Sequence, residues 1–135
     1  MAKVSGLIFF PGAGGFTMKV IKISEVKKEP VSSPLFTGPE VTRQDLSDSR
    51  EFTMAVVNFG KGVRNKFHTH DSEQILIVTS GHGFIVTEQE KKEIAPGDVV
   101  IIPAGEKHWH GATEGSEFSH IFVYRSGSQA TQLEK

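Results

Sequence analysis

All six histidines of this 135-residue chain fall between positions 68 and 120, and His68-Thr69-His70 is the tightest group. Along a β-strand, side chains alternate faces, so residues i and i+2 project the same way and both imidazoles enter one space. Gln74 has the same parity and joins them if the chain bends little after His70. His108 is remote in sequence, at the end of another strand-like run, where closure of a barrel would bring it opposite the first pair. Two histidines from one strand and one from a facing strand are a standard facial site for a divalent transition metal. Imidazoles and a carboxamide bring no negative charge. An ion held by them keeps its full +2 charge and acts as a strong Lewis acid, favouring an anion or alkoxide in an open position. It is also less suited to a ferric state, which argues mildly against oxidative chemistry. Glu73 is the competing oxygen ligand, and on the register that turns Gln74 inward it faces away.

Two further histidines bear on the same space. His110 shares the parity of His108, so it either lines the cavity or stands behind the ligands at its mouth. His120 alternates with Phe118, Phe122 and Tyr124 along one strand face. There it is either a hydrogen-bonded core residue or a base whose desolvation keeps it neutral and able to accept a proton. Phe118 and Phe122 are the expected apolar walls of a substrate pocket. His82, between Gly81 and Gly83, reads as solvated, and Trp109 as packed on the outer face or at a subunit interface.

The elements that must carry these residues are short and β-rich. Phe52 to Phe59, residues 73–80, residues 84–88, Val99 to Ile102 and Glu117 to Arg125 read as strands, separated by Gly and Pro. Gly81-His82-Gly83 reads as a tight turn, which makes 73–88 a hairpin. Val99-Val100-Ile101-Ile102 reads as a buried strand. Residues 18–24 read as a further short strand, residues 25–50 as an extended arm and loop, and the polar last ten residues as frayed. No segment shows sustained 3.6-residue apolar periodicity, so the fold is all-β, a sandwich or barrel. The expected organisation is a loose extension over 1–17, a strand and arm over 18–50, the barrel over 51–126 and a tail over 127–135.

Composition narrows the function further. With 15 basic and 16 acidic residues and no basic block, nucleic acid is not an expected partner. No apolar run approaches the roughly 20 residues of a membrane helix. The Gly12-Ala13-Gly14-Gly15 run lacks the spacing of a phosphate loop. The chain has no cysteine, which removes thiolate ligands, disulfides and cysteine nucleophiles and fits the cytoplasm, the expected location.

Two spaced motifs frame the histidines. The first runs from Gly62 over five residues to His68-Thr69-His70, over three to Gln74 and over six to Gly81; the second runs from Gly97 over five residues to Pro103-Ala104-Gly105 and over two to His108. Over about residues 50–125 the chain thus resembles the cupin superfamily. It departs from the family's usual pattern at Gln74, where Glu is common, and at Ala112, where Asn is common. The stretch His-Thr-His-x-x-x-Gln-x-Leu-Ile-Val-Thr-x-Gly, with Pro-x-Gly-Glu-Lys-His-Trp-His-Gly-Ala and the later Ser119-His120, is similar to the bacterial cupin hydroxynitrile lyases and their relatives.

The resemblance implies an RmlC-like jelly roll, a double-stranded β-helix barrel. It implies one divalent metal on His68, His70, Gln74 and His108, commonly manganese, with His120 as the base. Iron, zinc, nickel and cobalt tolerate the same ligands. It also implies a homodimer, often through exchange of the N-terminal arm. The expected activity is metal-dependent lyase chemistry on a small organic substrate, with cleavage or formation of a C–C bond. The competing functions are an Fe(II) dioxygenase-type cupin and a non-catalytic binder of small molecules or sugar acids.

Overall fold

A computed structural model describes residues 17–46 and 49–135. The extension expected over 1–17 lies outside the described residues except for Thr17. Eleven strands are described: β1 (Glu29–Pro30), β2 (Val41–Asp45), β3 (Phe52–Phe59), β4 (His68–His70), β5 (Gln74–Gly81), β6 (Gly83–Thr87), β7 (Lys91–Ile94), β8 (Val99–Ile102), β9 (His108–Ala112), β10 (Phe118–Arg125) and β11 (Ala130–Gln132). They form a six-stranded sheet in the order β1-β2-β3-β10-β5-β8 and a five-stranded sheet in the order β11-β4-β9-β6-β7. The two sheets face each other as a jelly-roll barrel.

Alternation decides what lies between the sheets. Ala55, Val57 and Phe59 of β3, Leu76 and Val78 of β5, and Phe118 and Phe122 of β10 turn inward and join one core with Ile94, Ile102 and Val63. β10 sits at the centre of the larger sheet, paired with β3 on one side and β5 on the other. His120 lies on that strand opposite Val57 and Val78.

Four local expectations are corrected. Residues 73–88 are not a hairpin: β5 pairs with β10 and β8, whereas β6 pairs with β9 and β7, so the chain crosses from one sheet to the other at Gly81–Gly83. Gly81 has φ +72°, and a Cβ there would collide with the carbonyl oxygen of Glu117, so the crossing is built on glycine. Val99 and Ile101 are 58% and 62% exposed, because β8 is an edge strand with only Val100 and Ile102 turned toward the other sheet. Residues 18–24 form no strand. They lead into a 3-10 turn at Ile23–Glu25, held by the Gln44 side-chain amide donating to the carbonyls of Ile23 and Val26.

The last ten residues are not frayed. β11 pairs with β4, the amide of Leu133 donates to the carbonyl of Phe67, and Arg64 grips Glu134 through two hydrogen bonds of 2.8 and 3.2 Å. The arm before β2 packs on its own barrel. Lys66 N–H donates to Leu35 O, Thr37 N–H donates to Arg64 O, and Phe36 bridges to Asn65.

Candidate metal centre

β4 pairs with β9 so that His68 stands directly opposite His108. The ligand nitrogens of His68, His70 and His108 lie within 4.8 Å of one another. An ion with bonds of about 2.1 Å holds its ligand nitrogens up to about 4.2 Å apart, so at most a small closure of the rings is needed. The orientation of two rings is fixed from behind. His68 Nδ1 donates to the carbonyl of Lys66 at 2.6 Å, and His108 Nδ1 donates to the carbonyl of Glu106 at 2.8 Å. A carbonyl can only accept, so both rings carry the proton on Nδ1 and leave the Nε2 lone pair for a metal, the backing that ligating histidines commonly have.

Among the described residues, His70 Nε2, Gln74 Oε1, His108 Nε2 and His120 Nδ1 are buried side-chain atoms without a hydrogen-bond partner. An unpaired buried polar atom costs about 1–3 kcal/mol. Three such atoms on residues of the same small space fit the demand of one cation. Gln74 is buried and Glu73 exposed, so the carboxamide rather than the carboxylate turns inward.

Burial pushes the His68 imidazole down to about 4, with the neighbouring His108 adding to the shift and the Lys66 backbone opposing it. Burial likewise brings His70 to about 4, with His68 adding and Asp71 opposing. His108 falls to about 4, again chiefly by burial, against the Glu106 backbone and with His70 adding to the fall. All three rings are therefore neutral near pH 7, the form that binds metal.

His68, His70 and Gln74 open onto a cavity of about 260 Å³ whose lining also includes His110, His120, Phe122 and Tyr124. One wall is aromatic. The rings of His70 and Tyr124 are 5.4 Å apart, and those of Tyr124 and Phe122 stack at 4.9 Å. Arg43 follows, with Cζ 5.1 Å from the centre of the Phe122 ring and Nε donating to Asp45 at 2.7 Å. Phe36 and Leu35 of the arm and Ala130 of β11 also line it. Among the described lining residues there is no carboxylate, and Arg43 is the only residue of permanent charge.

Phe118 is not at the cavity wall where the sequence places it. It is 1% exposed, packed against the rings of Phe59 and His120 and over Gly83. His110 faces the cavity and is linked to His120, whose Nε2 lies 3.1 Å from His110 Nδ1. Burial keeps His120 down at about 4. The backbone of Ile121 pulls it the other way, without the geometry of a hydrogen bond to Nδ1. His110 lies well below its ordinary value, first through burial and then through the surrounding imidazoles. Trp109, on the opposite face of β9, stacks under Arg64 with Cζ 4.5 Å from its ring.

Sequence reasoning missed Asn65, Arg43 and the arm's place in the cavity lining. Asn65 is 4% exposed and sits between β3 and β4 without a motif to mark it. Arg43 has the inward parity of Val41, which alternation could have shown had β2 been recognised as a strand.

A single antiparallel jelly-roll barrel with three histidines converging inside it is a metal-binding β-barrel. The chain belongs to the cupin family, whose domain model matches residues 55–124. It is 41% identical over 91 residues, 67% of this chain, to the (R)-mandelonitrile lyase of Granulicella tundricola. It is 32% identical over 72 residues, 53% of this chain, to the pectin degradation protein KdgF of Dickeya dadantii. These matches span 63% of the lyase and 66% of KdgF. Among solved structures, a cupin-like protein (tm1010) from Thermotoga maritima superposes with a TM-score of 0.75 at 32% identity, covering 82% of this chain and 89% of that one.

Proposed function

We propose that this protein is a metal-dependent lyase that makes or breaks a C–C bond in a small hydroxynitrile-like substrate. The observation that carries the reading is the charge of the cavity: a site suited to a divalent cation, no carboxylate among the described lining residues and an arginine beside the outer aromatic wall. Such a pocket leaves room for an anionic partner, which an alkoxide or a cyanide leaving group supplies. The likeness to the mandelonitrile lyase points the same way.

A divalent metal held by His68, His70, His108 and Gln74 supplies Lewis acidity toward a substrate oxygen, with manganese the first expectation. The chain does the rest. The Tyr124–Phe122 wall takes the apolar body of an aromatic or aliphatic substrate. Leu35 and Phe36 of the arm add apolar surface beside it. His120, neutral at pH 7 and lining the cavity, handles the proton that moves as the bond changes. A dimer is expected in solution, since Val99 and Ile101 leave an exposed apolar edge at β8.

The test is to purify the chain, measure bound metal by plasma mass spectrometry, and follow cyanide release from mandelonitrile and from aliphatic cyanohydrins, with oxygen consumption recorded in parallel. The expected result is one metal per chain and cyanide release without oxygen uptake. Absence of bound transition metal, or turnover that consumes oxygen, would overturn the reading.

A further inference from the structure

The buried polar atoms behind the cavity form a directional chain. Asn65 accepts the backbone N–H of His110 on Oδ1 at 2.8 Å. That contact settles the orientation of the amide, because Nδ2 in its place would set donor against donor. Nδ2 is therefore the atom 3.3 Å from His110 Nε2, and it can only donate. His110 Nε2 must accept, so the His110 proton sits on Nδ1. From there it points at His120 Nε2, 3.1 Å away, which must accept in turn. The His120 proton is left on Nδ1, which is buried and has no hydrogen-bond partner among the described residues.

We propose that Asn65 is a positioning residue that sets the tautomers of both His110 and His120, so that His120 offers an N–H rather than a lone pair to the occupant of the cavity. The accepting nitrogen of His120 is already engaged by His110. A resting His120 is thus a hydrogen-bond donor toward negative charge. An occupant that reaches Nδ1 must present an acceptor: an oxyanion, a carbonyl oxygen or a nitrile nitrogen. This replaces the expected role of a resting base with that of a donor. It rests on the lyase reading only for the name of the substrate, since the hydrogen bonds stand without one. His110 and His120 are adjacent to the metal ligands but not among them. Their polarity is dictated from the far side, by an amide that touches no ligand ring in the contacts described.

The tautomers can be read directly by two-bond 1H–15N correlation spectra of the full chain with 15N-labelled histidine, metal-free and loaded with diamagnetic Zn²⁺. The wild-type protein should show protonated Nδ1 and unprotonated Nε2 at both His110 and His120. Asn65→Leu, which keeps the branching at Cγ but offers no donor or acceptor, should release the fixed pattern into a mixture. Asn65→Asp keeps the acceptor for the His110 backbone N–H. With its carboxylate ionised, as reported by the 13C shift, it should reverse the chain, placing the proton on Nε2 of both rings. Protonated Nε2 on His120 in the wild type overturns the proposal. So does an unchanged, single tautomer in Asn65→Leu, or failure of the ionised Asn65→Asp variant to reverse. No substrate enters this measurement, so failure here and failure of the lyase reading appear in different experiments.

Discussion

His68 and His108 face each other across neighbouring strands with ring centroids 4.4 Å apart, and each ring is braced by its Nδ1–H donating to the carbonyl two residues earlier. The bracing is local and the opposition is long-range. Together they aim two lone pairs at one point before any ion arrives.

Replacing either histidine should therefore abolish metal binding. His68→Ala or His108→Ala is expected to lower metal content by at least tenfold, the scale seen even for outer partners of ligands. Far-ultraviolet circular dichroism should show the barrel retained. Full metal occupancy in either variant would contradict the site.

Gln74 offers a subtler test. Gln74→Glu brings a carboxylate into a lining that has none among its described residues. Metal should be held more tightly, while Lewis acidity falls with the lowered charge. Mass spectrometry and cyanide release should move in opposite directions, and a variant that gains both would refute the charge argument.

His120→Ala separates chemistry from binding. Metal content should stay at the wild-type level while turnover drops by about 10²–10⁴, the usual range for lost proton handling. If turnover were unchanged, His120 would be a core residue only.

The metal-free protein should be acid-sensitive. His68, His70, His108 and His120 have folded values near 4 against an ordinary 6.5. Between those limits the unfolded chain binds more protons than the folded one, so stability is highest above pH 6.5 and falls as pH drops toward 4. Each group contributes at most about a tenfold change in the unfolding equilibrium per pH unit. Calorimetry should show the melting temperature falling steadily over that window. A flat profile would mean the imidazoles are not desolvated as described.

Gly81→Ala should destabilise the fold by at least about 2 kcal/mol. The residue has φ +72°, and a Cβ meets the Glu117 carbonyl, so neither backbone nor neighbour can yield cheaply. Chemical denaturation measures the loss.

Much of this was legible in advance where the information is local. β3 spans Phe52–Phe59 as its β-branched and aromatic run suggests, and the i, i+2 rule brings His68 and His70 together. What failed was non-local. A Gly-x-Gly turn looks the same whether the chain doubles back within a sheet or passes to the opposite one, and only the pairing of β5 with β10 decides. The hydrophobicity of Val99 and Ile101 could not reveal that β8 lies at an edge. The polar tail gave no sign that Glu134 meets Arg64, nor Asn65 that it would meet His110, because both pairings join distant positions. Phe118 shares the parity of Phe122 but lies at the other end of β10, and alternation reports a face, not a depth.

The central place of β10 has a consequence for how the molecule is made. During synthesis β3 and β5 leave the ribosome long before the strand that separates and pairs with both, and β4 likewise precedes its partner β11. Each exposes an unsatisfied backbone edge until β10 and β11 have emerged. Folding must be a late, largely all-at-once event governed by sequence-distant contacts, which makes it slow for a domain of this size.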